Sequence, residues 1–157
     1  MLAASAQLAR RGRVRARLAV HVEADELLDI EHRVARAALE LGDVVVGTIP
    51  AAIAELDAVV ALSLVGTRLH GSLPPQLGKM ASLEMLWLDH NPDLSGPIPA
   101  SFEALSPKLT AFELHRSNFT GRLPKLDWAA IADCTLNDLV FDCPLPEGAE
   151  TCGAACR

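Results

Sequence analysis

Apolar residues recur along most of this chain in short alternating groups that are separated by polar turns. In the clearest group Leu86 and Leu88 flank Trp87, so that every second residue is a leucine. Alternation with a period of two predicts a short strand that buries its leucines and turns Trp87 outward. The equivalent apolar residues of three such groups are Val59, Leu62 and Leu64; Leu83, Leu86 and Leu88; and Leu109, Phe112 and Leu114.

A tetrapeptide of the form Gly-x-(Ile/Leu)-Pro occurs four times in register with these groups. Its glycines lie 24, 25 and 25 residues apart, at Gly47, Gly71, Gly96 and Gly121. Glycine and proline interrupt regular structure, so each copy marks a bend of the chain. A nearly constant period in this range indicates a solenoid of stacked repeats, an architecture that presents one long face to a partner.

Together, the leucine spacing and the tetrapeptide resemble the plant-type leucine-rich repeat, LxxLxLxxNxLxGxIPxxLxxL, over about residues 39–146. The resemblance implies a solenoid with a curved parallel β-sheet, often with a second short strand near the tetrapeptide. It also implies extracellular recognition, as in receptor-like ectodomains and polygalacturonase inhibitors. Thr67 and Ser117 stand where the family prefers the asparagine that Asn91 retains. Because each hydroxyl can donate one hydrogen bond, we expect these turns to hold with a weaker ladder.

The end of the sequence carries an altered repeat. A further strand unit around Ile131 and Leu136 is followed by Cys143-Pro144-Leu145-Pro146 in place of the tetrapeptide. The spacing of the cysteines lacks the two close pairs of structural zinc sites, which favours disulfides over a metal and leaves three pairings open. We therefore interpret residues 131–157 as a cysteine-stapled C-terminal cap. Its end resembles the caps of plant-type leucine-rich repeat proteins and of kinetoplastid surface antigens. The cysteines are Cys134, Cys143, Cys152 and Cys156.

The first 23 residues are basic and rich in alanine, with an arginine-rich segment at residues 10–17. An organellar transit peptide, a nucleic-acid-binding arm and a disordered tail all fit this composition, and we expect a disordered tail.

Residues 24–46 are harder to interpret. Leu27, Ile30 and Val34 fall at helical spacing, which predicts a short N-terminal helix to about residue 38, followed by a partial repeat. The alternative is a degenerate repeat whose strand is Leu39-Glu40-Leu41. The paired cysteines that usually precede such arrays are missing, which favours a fragment of a longer protein. The regular repeats occupy residues 47–130.

Charge and composition narrow the class of partner. The chain carries 14 basic and 20 acidic residues, and five of the basic ones lie within residues 10–17. The acidic remainder argues against nucleic-acid binding by the folded part. No apolar run is long enough to span a bilayer. The cysteines and the sequon Asn118-Phe119-Thr120 favour a secreted or cell-surface glycoprotein, although no signal peptide is visible.

Outward residues of neighbouring strands should form columns across the sheet, in which successive residues lie about 4.8 Å apart and touch. One column contains Ser63, Trp87, Glu113 and Thr135, the next contains Val65, Asp89, His115 and Asn137, and a third contains Gly66, His90, Arg116 and Asp138. Tryptophan and arginine are common at binding hot spots. We therefore predict a non-catalytic recognition module that binds a protein, peptide or glycan through Trp87, Asp89, His90, Glu113, His115 and Arg116.

Two alternatives compete with this prediction. The face can be an ordinary solvated surface of a coat or scaffold protein without a specific ligand. Alternatively, Asp89, His90, Glu113 and His115 can bind a metal ion or perform acid–base chemistry, as in a metal-dependent enzyme. A flat sheet encloses nothing, and the sequence contains no catalytic triad, phosphate loop or cofactor motif. We therefore expect no catalytic residue, metal ion or cofactor.

Overall fold

The computed structural model describes residues 22–23, 37–40 and 45–157. These residues form short strands and 3-10 helices, and none of the helices among them is long and apolar enough to cross a membrane. The strands are β1 (Val22–Glu23), β2 (Ala37–Glu40), β3 (Val45–Gly47), β4 (Val59–Ser63), β5 (Arg68–Leu69), β6 (Met85–Trp87), β7 (Ser95–Pro97), β8 (Ala111–Glu113), β9 (Asn118–Thr120), β10 (Asp133–Thr135), β11 (Val140–Phe141) and β12 (Ala155–Cys156). The 3-10 helices are Ala51–Glu55, Pro75–Lys79, Ala100–Leu105, Trp128–Ala130 and Ala149–Cys152.

A five-stranded parallel sheet, in the order β2-β4-β6-β8-β10, forms one side of the solenoid. Its register pairs Ser63 with Trp87, Trp87 with Glu113, and Glu113 with Thr135. This is the first column predicted from the alternation. One strand per repeat therefore enters the same sheet, and the solenoid predicted from the 24- and 25-residue intervals is confirmed.

The opposite side of the solenoid carries shorter strands beside the tetrapeptides. They form the parallel groups β1-β3-β5, β7-β9 and β11-β12, and a parallel bridge between Gly71 and Leu94 links the first group to the second. After three of the tetrapeptides, the proline carbonyl accepts a hydrogen bond that opens a 3-10 helix, from Ile53 to Pro50, from Leu77 to Pro74 and from Phe102 to Pro99. Each repeat is thus a strand, a bend and a helical return.

The core lies between the large sheet and these helical returns. The last two apolar residues of each of the three sequence groups are buried, including Leu62, Leu86 and Phe112 at 0% exposure. Towards the end of the array the core becomes aromatic. There Phe112 stacks on Trp128, with 6.0 Å between the ring centroids. Burying each leucine contributes about 1.5–3 kcal/mol, so this leucine column is the main stabilising element of the stack.

The predicted N-terminal helix is not confirmed. Ala37–Glu40 form strand β2, in which Leu39 pairs with Leu62 and Glu40 pairs with Ser63. The observed strand therefore matches the degenerate-repeat alternative. Residues 24–36 lie outside the described part of the chain, as do residues 1–21 of the predicted tail. Val22 and Glu23, at the end of that predicted tail, pair with β3.

Asn91 closes the turn after β6 with a buried side chain. Its Nδ2 donates to the carbonyl of Leu64 at 2.7 Å and to that of Leu88 at 2.9 Å, and its Oδ1 accepts from Thr67 at 2.7 Å. Ser117 donates to the carbonyl of Leu88 at 3.0 Å. As expected, the hydroxyls that replace asparagine each donate one hydrogen bond. Asn91 therefore links its own repeat to the preceding one, and Ser117 links the following repeat to that of Asn91.

Replacing Asn91 with leucine should destabilise the protein by roughly 2–4 kcal/mol, because the buried carbonyls lose their donors at nearly constant side-chain volume. Ser117→Ala removes a single bond and should cost only about 1 kcal/mol. Urea unfolding followed by circular dichroism compares the two. Equal losses in the free energy of unfolding would show that the hydrogen bonds of Asn91 do not hold neighbouring repeats together in solution.

Two disulfides staple the C-terminal cap, Cys134 to Cys152 and Cys143 to Cys156. The predicted disulfide cap is thereby confirmed, and the open question of pairing receives an answer. The first disulfide lies against the core, where Cys152 is 2% exposed, whereas both cysteines of the second are exposed. The two crosslinks therefore differ in packing more than in the length of chain that they close.

The disulfides join cysteines that are 18 and 13 residues apart. Closing a loop of this size stabilises the folded protein by about 3 kcal/mol. Replacing both Cys134 and Cys152 with alanine should cost more than replacing Cys143 and Cys156, because only the first change also leaves a cavity in the core. Urea unfolding of the two double variants measures the difference. A larger loss from the exposed pair would contradict this assignment.

Candidate functional site

The six residues predicted to contact a partner lie on one face of the five-stranded sheet and at the turns that follow it, which we call the sheet face. Trp87 and Glu113 end β6 and β8 and are paired in register, and both are half-buried. Two residues later in each repeat come Asp89 and His115, followed by His90 and Arg116. The backbone N–H of His90 donates to the carbonyl of His115 at 3.0 Å, so the ladder extends into the turns.

Three of these side chains form a directed chain of hydrogen bonds. Nη1 of Arg116 lies 3.1 Å from Nε2 of His90, and Nδ1 of His90 lies 2.7 Å from Oδ2 of Asp89. A guanidinium has only donors, so Nε2 of His90 must accept. The imidazole proton then resides on Nδ1 and is donated to Asp89. Within this chain His90 is a neutral imidazole held between a cation and an anion.

His115 lies beside this chain without joining it by a hydrogen bond. Its Nε2 is 3.9 Å from Oδ2 of Asp89, and its Nδ1 is 3.9 Å from Oε2 of Glu113. Nδ1 is buried and has no hydrogen-bond partner. The ring also packs edge-on against His90, with 5.0 Å between centroids. A carboxylate therefore faces each nitrogen of His115 at a distance somewhat longer than a hydrogen bond.

Asp89 is more deeply buried than the alternation predicts. Its side chain is 8% exposed, compared with 43% for His90 and 23% for His115. The imidazoles of His90 and His115 lie beside its carboxylate. Asp89 is therefore less available to a partner than the sequence suggested, whereas Arg116 and His90 are exposed.

The turn after each strand places one residue in the left-handed region. The four equivalent residues and their φ angles are Gly66 (64°), His90 (59°), Arg116 (55°) and Asp138 (68°). Only glycine adopts this conformation without steric cost. Sequence reasoning placed these residues in one column but missed their conformation, although Gly66 at the equivalent position was the available signal.

Arg116→Gly should change the free energy of unfolding little or increase it by up to about 1 kcal/mol, because glycine relieves left-handed strain. Glu113→Gly is the matched control within an extended strand and should destabilise by roughly 0.5–1 kcal/mol. Urea unfolding of both variants tests the difference. If the two substitutions lower the free energy of unfolding equally, residue 116 does not adopt the left-handed conformation in solution.

Asn118, the acceptor of the predicted glycosylation sequon, is exposed at the start of β9. It lies on the short-strand side of the solenoid, away from the five-stranded sheet. Glycosylation there stays a prediction, and it would leave the sheet face uncovered.

Comparison with solved structures identifies the fold. The BIR2 ectodomain from Arabidopsis thaliana is 33% identical over 57% of this chain, with a TM-score of 0.52, and the match covers 47% of that ectodomain. The Arabidopsis receptor kinase HAESA, solved with the peptide hormone IDA and the co-receptor SERK1, is 29% identical over 73% of this chain, with a TM-score of 0.62 and 20% of its own chain covered. A TDR receptor is 26% identical over 76% of this chain, with a TM-score of 0.61 and 21% of its own chain covered.

This chain therefore spans less than half of each of these three proteins. No protein-family model matches it, and no curated protein matches it either. The resemblance to plant-type leucine-rich repeat proteins, and the parallel-sheet solenoid that it implied, are confirmed by these receptor ectodomains.

Proposed function

We propose that this chain is a non-catalytic recognition module that binds a peptide or an extended protein segment on the sheet face. The observation that carries the proposal is the position of Trp87, half-buried at the end of a central strand and followed in the next repeat by Glu113, His115 and Arg116. Tryptophan and arginine, which lie here on the same face, are the side chains most often found at binding hot spots.

The side chains at this face suit a peptide backbone as well as its side chains. Arg116 is exposed and uses one of its donors on His90, which leaves further N–H groups for a carboxylate or a carbonyl. Trp87 offers apolar area on the same face, in register with Glu113. An extended peptide presents carbonyls and side chains at short intervals, so one segment can contact both residues.

The similar structures support the same class of partner. HAESA, which shares 29% identity with this chain, was solved with a peptide hormone and a co-receptor. We extend to this chain only the class of partner, a peptide or a protein. A glycan is the third class of partner predicted from the sequence, and no observation on the described residues favours it.

A secreted or cell-surface location is part of the proposal. Structural disulfides persist in oxidising compartments, and all four cysteines here are paired. Two of the similar structures are described as a receptor ectodomain and a receptor kinase. Both observations support a partner met outside the cell.

Selection from a phage-displayed random peptide library on the immobilised chain tests the proposal. Enriched peptides should bind the wild-type chain in fluorescence polarisation. Trp87→Ala should weaken that binding by about thirtyfold, corresponding to a hot-spot loss of about 2 kcal/mol. Arg116→Gly should weaken it by a smaller factor while preserving the turn.

Arg122→Ala is the matched control, because Arg122 is an exposed arginine in the Gly121–Pro124 tetrapeptide rather than on the sheet face. It should leave peptide binding unchanged. Thermal unfolding of each variant confirms that the fold persists. Peptides that bind Trp87→Ala and Arg116→Gly as tightly as wild type would move the site elsewhere. Failure to enrich any peptide would favour the coat or scaffold alternative.

A further inference from the structure

Asp89, His90 and His115 bring three potential metal ligands together. One imidazole nitrogen from each histidine and one oxygen of the carboxylate lie within 4.8 Å of one another. Oδ2 of Asp89 is 2.7 Å from Nδ1 of His90 and 3.9 Å from Nε2 of His115. In a tetrahedral zinc site with bonds of 2.0–2.2 Å, ligand atoms lie about 3.4 Å apart. The two distances lie about 0.7 Å below and about 0.5 Å above this value, so forming the site requires rotations of these side chains.

The surroundings of His115 point independently to the same ligand. A histidine that binds a metal through one nitrogen almost always donates its other N–H to a carboxylate, a carbonyl or water. Nδ1 of His115 is buried without a hydrogen-bond partner, and Oε2 of Glu113 is 3.9 Å from it. With Nε2 of His115 directed at Asp89, the ring has the orientation of a metal ligand supported by a second carboxylate.

From these two observations we propose that Asp89, His90 and His115 form a binding site for one divalent transition-metal ion of the zinc class, with Glu113 as the positioning carboxylate. Two imidazoles and one carboxylate are a common donor set for zinc. Three protein ligands leave one coordination position for water. The expectation of no metal relied on the lack of enclosure, but an exposed site can bind an ion without excluding water.

Arg116 competes with the metal ion for His90. A neutral imidazole that binds a metal through Nδ1 keeps its proton on Nε2, and that nitrogen can then no longer accept from Arg116. The metal ion takes the place of the proton that His90 now donates to Asp89. Arg116 must therefore release its 3.1 Å hydrogen bond when the ion binds, and its positive charge opposes the cation. Removing Arg116 should strengthen metal binding.

Titration of the chelator-treated full chain with Zn²⁺ by calorimetry, and with Co²⁺ by visible absorption, tests this site in the absence of any partner. We expect one ion per chain and the absorption of a low-coordinate cobalt site. His90→Gly and His115→Gln should each weaken binding at least tenfold, and Glu113→Gln should weaken it by about tenfold, as for other supporting carboxylates. Arg116→Gly should tighten it severalfold.

His70→Gln is the matched control, because His70 is exposed in a different turn and should not affect binding. His90→Gly suits the left-handed backbone at this residue and keeps the test valid if His115→Gln does not fold. All four cysteines are in disulfides, so thiols do not compete. Absence of saturable binding, or binding that His90→Gly leaves unchanged, would overturn the assignment. Either result leaves the proposed peptide recognition standing, because no peptide is present.

Discussion

The buried amide of Asn91 is the interaction on which the arrangement of the repeats depends. When a strand of the sheet ends and the chain turns inward, its last carbonyls are buried and need donors. Asn91 supplies them to Leu64 in the preceding repeat and to Leu88 in its own. Ser117 reaches back to Leu88 in the same way. The stack is therefore held at its turns by polar groups as well as by its leucine core.

The same turns determine where the functional side chains lie. Once the carbonyl of Leu88 bonds to Asn91, only two residues remain to reverse the chain, and one of them, His90, takes the left-handed conformation. The backbone bond from His90 to His115 then holds neighbouring turns side by side. Asp89, His90, His115 and Arg116 are therefore brought together by the repeat itself, before any contact between their side chains.

Much of this could be predicted from the sequence, because the information is periodic. Alternation by two places Trp87 outward, and the match of Leu86 and Leu88 to Phe112 and Leu114 in the next repeat places Glu113 beside it. The burial of Asp89 could not be predicted in the same way, because alternation gives the direction of a side chain and not what packs against it. Helical spacing also predicted a helix to about residue 38, whereas β2 begins at Ala37, since the pairing of Leu39 with Leu62 is a tertiary contact that local periodicity does not contain.

Left-handed backbone is the feature that links stability to function on this face. A non-glycine residue at such a position costs of order 1 kcal/mol, and Gly66 shows that the repeat accepts glycine there. His90 and Arg116 bear this cost and are joined to each other by a hydrogen bond at 3.1 Å. Asp138 occupies the equivalent position of the following repeat with φ 68°, so the conformation belongs to the repeat. The turn thus fixes where the backbone presents His90 and Arg116, and the hydrogen bond between their side chains is what distinguishes this pair.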